Sequence, residues 1–151
     1  MAPVSHQLTR VLRIREVLEE VAKLDFERKN GEARQLEMGA DRQRNLALGT
    51  RADALRMLSE GENAGRGAWL MRIADAELLA RRAAGLRALA EAGLPEVNAA
   101  REQLMERRTD RLQVESLLAS AARAEEKEQI RREQNRIDDW FQSRSFGKDR
   151  D

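Results

Sequence analysis

Chemistry in this chain would have to come from one histidine, 27 carboxylates and 28 basic side chains, because it contains no cysteine and no tyrosine. His6 sits alone near the N-terminus, so a Ser/His nucleophile or a histidine metal site lacks its central residue. The carboxylate pairs Glu19/Glu20, Glu125/Glu126 and Asp138/Asp139 are sequence neighbours, and on a helix neighbours diverge instead of sharing a metal. Gly61, Gly65 and Gly67 lack the preceding strand and the Lys-Ser/Thr ending of a phosphate loop. The expectation is therefore a non-enzymatic protein with no cofactor and no metal.

Arginine clusters are the remaining candidates. Arg81/Arg82/Arg87, Arg107/Arg108/Arg111 and Arg131/Arg132/Arg136 could meet phosphates, but acids dilute the last two. Between Arg42 and Arg87, nine arginines stand against five acids, while the whole chain carries only +1. With few aromatic platforms and little net charge, the basic stretch suits an acidic protein surface better than nucleic acid, and no nucleic-acid partner is expected.

The elements that must position these side chains read as helices. Twenty-three of 151 residues are alanine, 36% are charged and only 3% aromatic, a composition of long helices or coiled coils. Three glycines within seven residues should end a helix, since each costs about 1 kcal/mol relative to alanine. The spacing predicts a helix over 4–58, a loop over 59–68, a helix over 69–142 with a kink at 93–95 around Pro95, and a disordered tail over 143–151.

Ala33, Leu36, Ala40, Ala47, Ala54 and Met57 keep a 3/4 rhythm, and Val11, Ile14, Leu18 and Val21 keep it in another phase, which predicts a shift near Phe26. In the second arm the expected register is Trp69, Ile73, Ala76, Ala80, Ala83, Ala90, Leu94 and Val97, broken at Arg87. Further on, Arg108, Arg111 and Glu115 occupy it. Opposite charges at i,i+4, such as Arg15–Glu19, Lys23–Glu27, Arg28–Glu32, Glu77–Arg81, Arg111–Glu115 and Glu128–Arg132, fit solvated helix faces. The fold class is all-α, an antiparallel two-helix coiled coil (a long α-hairpin) with a C-terminal helix overhang.

If the turn centres near residue 64, facing residues have numbers adding to about 128, which sets Leu24 opposite Leu104 and Ala52 opposite Ala76. Partners for the first arm then end near Ala124. Ile130, Ile137 and Phe141, at i, i+7 and i+11, are left with Trp140 on an unpaired helix, which reads as a binding element or a dimer contact. No apolar run reaches the roughly 18 residues of a membrane span, and the first residues lack the apolar core of a signal peptide, so a cytoplasmic location is expected.

Two motifs carry a family resemblance. Asn63-Ala-Gly-Arg-Gly-Ala-Trp69, followed by Ile73 and Leu79, is a small-residue loop, a tryptophan and spaced apolar positions. Gln134-Asn-Arg-Ile-Asp-Asp-Trp-Phe-Gln-Ser-Arg144 is a charged helix leading to an acidic pair, an apolar position and a basic residue. With two long arms around them, the chain resembles the FliJ/YscO family of central-stalk proteins in flagellar and injectisome type III export.

The resemblance implies a stalk and escort component that binds and stimulates the hexameric export ATPase. It also implies links to the cytoplasmic domain of the export gate and to export chaperones, peripherally at the cytoplasmic face of the inner membrane through protein contacts. On this chain the ATPase contact would fall to Ile130, Arg131, Arg132, Arg136, Ile137, Trp140 and Phe141. The gate contact would fall to Leu48, Ala52, Trp69, Arg72, Leu79, Arg82 and Leu86. Three features depart from the family pattern: Asp75 where an aromatic is usual, Leu48 and Ala52 where tyrosines are common, and Pro95. The flagellar system is the leading expectation. The alternatives are an injectisome stalk, or a coiled-coil adaptor or homodimeric scaffold whose overhang pairs with its own copy.

Overall fold

A computed structural model describes residues 3–59 and 65–148. The protein is all-α, with two helices packed against each other: α1, Pro3–Ser59, and α2, Arg66–Lys148. Contacts divide it into two compact units, Val21–Leu104 and Met1–Glu20 with Met105–Asp151.

In the first unit the seam is built from alanine. Ala33, Ala40, Ala47 and Ala54 recur at every seventh position of α1, and Ala76, Ala83 and Ala90 do so on α2. A strict seven-residue repeat keeps one face of each helix against its neighbour, and small side chains there permit close approach. Ala40 and Ala54 are 1% and 0% exposed, and a Cβ built on Gly39 would lie 3.5 Å from Leu86 Cδ1. Arg87 donates to Asp41 at 3.0 Å, and these two residue numbers follow the expected antiparallel register. Leu36, Gln43, Thr50 and Met57 on α1, with Trp69, Ile73, Leu79, Leu86 and Gly93 on α2, are half-buried between the alanine layers.

Several sequence expectations are corrected here. The α2 seam passes through Leu79, Leu86 and Gly93, and leaves Ala80, Arg87 and Leu94 exposed. Arg87 does not break the register because it lies beside it and pairs with Asp41. Leu24 and Ala52 are exposed, while Leu104 is half-buried and Ala76 buried, so the members of neither pair face each other across the seam. As the single expected helix over 69–142 requires, α2 runs through Pro95 without a break, and Pro95 is exposed, where the orphaned carbonyl one turn back can reach water. Residues 66–68 belong to α2, whose first turn is set by the Ala68 amide donating to the Gly65 carbonyl at 2.8 Å.

The second unit has a different interior. Val114 is its one buried apolar side chain among the described residues; Leu8, Leu12, Leu118 and Ala121 are half-buried around it. The expected phase shift near Phe26 is absent. The seven-residue step from Ala33 continues back through Phe26, Glu19, Leu12 and Ser5, so Val11, Ile14 and Val21 turn outward and charged residues take seam positions. Arg15 and Glu19 are tolerated there because each has an ionic partner on α2. Arg15 donates to Asp110 at 2.8 Å, and Arg111 bonds both Glu19 and, at 2.6 Å, Glu115. Arg107, not Arg108, occupies the neighbouring seam position. Helix α2 also continues to Lys148 where a disordered tail was expected over 143–151. Local contacts support that turn: Ser143 Oγ donates to the Trp140 carbonyl at 2.9 Å, and the Arg144 guanidinium lies 4.4 Å from the Trp140 ring centre. Residues 149–151 lie outside the described residues.

Candidate functional site

Beyond Glu125, every residue of α2 up to Arg144 is exposed. Ile130, Ile137, Trp140 and Phe141 are 55%, 55%, 50% and 62% exposed on this stretch. At 100° per residue, Ile130, Ile137 and Phe141 fall on one face, with Trp140 beside them. The Trp140 and Phe141 rings meet edge to face at 5.1 Å, and Arg144 covers the tryptophan. The result is a hydrophobic face with an aromatic end and a cationic edge. Such a face can seat against an apolar groove of another protein, with Trp140 and Phe141 as its aromatic anchors.

The arginines expected beside it are not gathered with it. Arg131, Arg132 and Arg136 are exposed, but their helical positions lie about 100°, 200° and 240° round from Ile130. Arg132 is also engaged by Glu128 on its own helix at 3.2 Å. These three can contact a partner that wraps the helix, but they do not form a patch with the apolar row.

The second expected set, in the Val21–Leu104 unit, divides into two kinds of position. Leu48, Ala52, Arg72 and Arg82 are exposed, whereas Trp69, Leu79 and Leu86 are half-buried in the helix seam. Leu48 lines a groove with Ala47, Ile73, Ala76 and Ala80, whose charged lining residues are Arg44, Arg51 and Glu77. Trp69 Nε1 is buried with no hydrogen-bond partner, as is Gln43 Oε1.

Two features escaped the sequence reading. One is the ionic seam of Arg15, Glu19, Asp110 and Arg111, in which the two helix bonds raise the Arg111 pKa above its ordinary value, Glu19 contributing most and Glu115 next. The other is the outward stripe of Val11, Ile14 and Val17 on α1, all exposed. A strict step of seven back from Ala54 would have found both, since it lands on Glu19 and leaves the valines outside.

Among the described residues no group of three or more His, Cys, Asp or Glu side chains could hold a metal ion. No described helix is long and apolar enough to cross a membrane. Compared with family models, curated proteins and solved structures, the chain matches none.

Proposed function

We propose that this chain is a non-enzymatic stalk and escort component of a type III protein export apparatus, flagellar in the first instance, of the FliJ/YscO kind. In this reading it binds and stimulates the hexameric export ATPase and links it to the cytoplasmic domain of the export gate and to export chaperones. One observation carries the proposal: from Glu125, the last half-buried residue among those described, α2 continues to Arg144 as a bare helix with Ile130, Ile137, Trp140 and Phe141 on its surface. A helix that exposes two aromatics and two isoleucines has apolar area to bury against a partner. The two-helix fold and the Trp69 motif at the head of α2 support the same reading.

The test is turnover of the purified export ATPase from the same cell, with and without this chain. Stimulation should be lost in Ile137→Asp/Phe141→Asp, while circular dichroism keeps its helical amplitude because both side chains lie outside the helix seam. Stimulation by the double variant equal to that of the wild type would refute the docking end, and no stimulation by the wild type would refute the export reading.

A further inference from the structure

The exposed face of the overhang does not end at Glu125. Followed toward the N-terminus at alternating steps of three and four, it continues along the outward side of α2, opposite the seam residues Val114, Leu118 and Ala121. The row reads Leu112, Ser116, Ala119, Arg123, Glu126, Ile130, Glu133, Ile137, Trp140 and Arg144, and every one of these residues is exposed. At 1.5 Å per residue it is about 48 Å long. A 3/4 row of this length is what a helix presents to another helix in a coiled coil.

The row is complementary to itself when reversed. With two copies of α2 antiparallel and the two-fold axis level with residue 128, Ile137 of one copy falls over Ala119 of the other, and Trp140 over Ser116. Large side chains thereby meet small ones at both ends. Between them, Arg123 of each copy meets Glu133 of the other, which places an oppositely charged pair on each side of the axis. Glu126 lies against Ile130, and Leu112 against Arg144, so three of the row's five layers match in size or charge. Large-to-small and plus-to-minus matching in the same register is what an isologous interface requires.

We propose that this chain associates with a second copy of itself through the outward face of α2, antiparallel and centred on residue 128, with Ile137 and Trp140 packed over Ala119 and Ser116 and with reciprocal Arg123–Glu133 pairs. The proposal stands independently of the export reading. It shares Ile130, Ile137 and Trp140 with the docking end assigned above, so the second copy and the ATPase exclude one another.

The test is the mass of the full chain by light scattering and sedimentation over a concentration series. The wild type should pass from monomer to dimer as concentration rises. Ala119→Arg sets a long cation where the second copy's Ile137 must sit, and should hold the chain monomeric with unchanged helical content, since Ala119 is exposed within each copy. Arg123→Glu and Glu133→Arg should each weaken the dimer by opposing like charges, and the two together in one chain should restore it by exchanging the pair. A wild type that stays monomeric to millimolar concentration overturns the proposal and leaves the export reading standing. A dimer indifferent to Ala119→Arg, or single reversals that the double variant fails to rescue, overturns it equally. A dimer that behaves as described while the ATPase ignores the chain upholds this inference and removes the export reading.

Discussion

At the scale of single residues, the charged side chains Arg15, Glu19 and Lys29 hold seam positions of α1 by pairing with opposite charges. Lys29 occupies a half-buried seam position and carries its ammonium to Asp25 at 3.0 Å, while Arg28 reaches the other carboxylate oxygen at 3.1 Å. Lys29 first, and then Arg28, hold the Asp25 carboxyl below its ordinary value of 3.8. A carboxyl with a depressed folded-state pKa contributes stability that is complete above its unfolded value and disappears as pH falls through the folded one. Asp25→Asn should therefore lower stability at neutral pH and make the acid limb shallower below about pH 4, approaching the wild type once both are fully protonated. Urea melts of the two chains from about pH 7 to about pH 2 check this, and parallel curves across the whole range would show that Asp25 contributes nothing. The same economy applies to Arg111, whose bonds to Glu19 and Glu115 allow three charged residues to sit at or beside the helix seam.

At the scale of the elements, alanine spacing decides the packing, and it makes opposite predictions for two adjacent residues. Gly39 would bring its new Cβ to an ordinary contact distance from Leu86, so Gly39→Ala should stabilise by about 0.5–1 kcal/mol through helix propensity. Ala40 is 1% exposed in the alanine seam, so Ala40→Leu should destabilise by about 1–3 kcal/mol through overpacking. Thermal or urea unfolding of both variants tests the seam, and a tolerated Ala40→Leu would mean that the helices do not approach closely there. The same spacing explains what could be read in advance. Two helices, their antiparallel register and the bare end of α2 follow from composition, the glycine cluster and residue counting. The phase of α1 does not, because apolar pattern and period disagree there: Val11, Ile14, Leu18 and Val21 look like a seam, whereas the seven-residue steps back from Met57 and Ala54 pass through Arg15 and Glu19 respectively. A charged residue in a seam breaks the apolar pattern while keeping the period. Of the expected docking residues, the four apolar ones on the overhang share a surface, while Leu79 and Leu86 join Trp69 in the seam, because the seven-residue step through Gly93 passes through them and leaves Ala80 and Leu94 outside.

At the scale of the whole molecule, one apolar row has two prospective occupants, and mass action makes that competition measurable. If the second copy covers Ile137 and Trp140, only the monomeric fraction can present them to the ATPase proposed as its partner. The apparent affinity of a protein for its ligand then falls in proportion to the fraction that is competent to bind. Raising the wild-type concentration should therefore give diminishing returns in ATPase stimulation, because added chains increasingly pair with each other. Ala119→Arg keeps Ile130, Ile137, Trp140 and Phe141 intact but removes the self-association, so it should match the wild type at dilution and exceed it at concentrations where the wild type is dimeric. Thermal stability should diverge in the opposite sense. Pairing stabilises the folded chain by RT ln(1 + [L]/Kd), about 2.7 kcal/mol at a hundred times the dissociation constant, so the wild-type Tm should climb with concentration while that of Ala119→Arg stays flat. Both divergences should begin at the same concentration, because a single equilibrium governs them. A rising wild-type Tm with no loss of stimulation would show that the second copy sits elsewhere and leaves the end of α2 free for the ATPase.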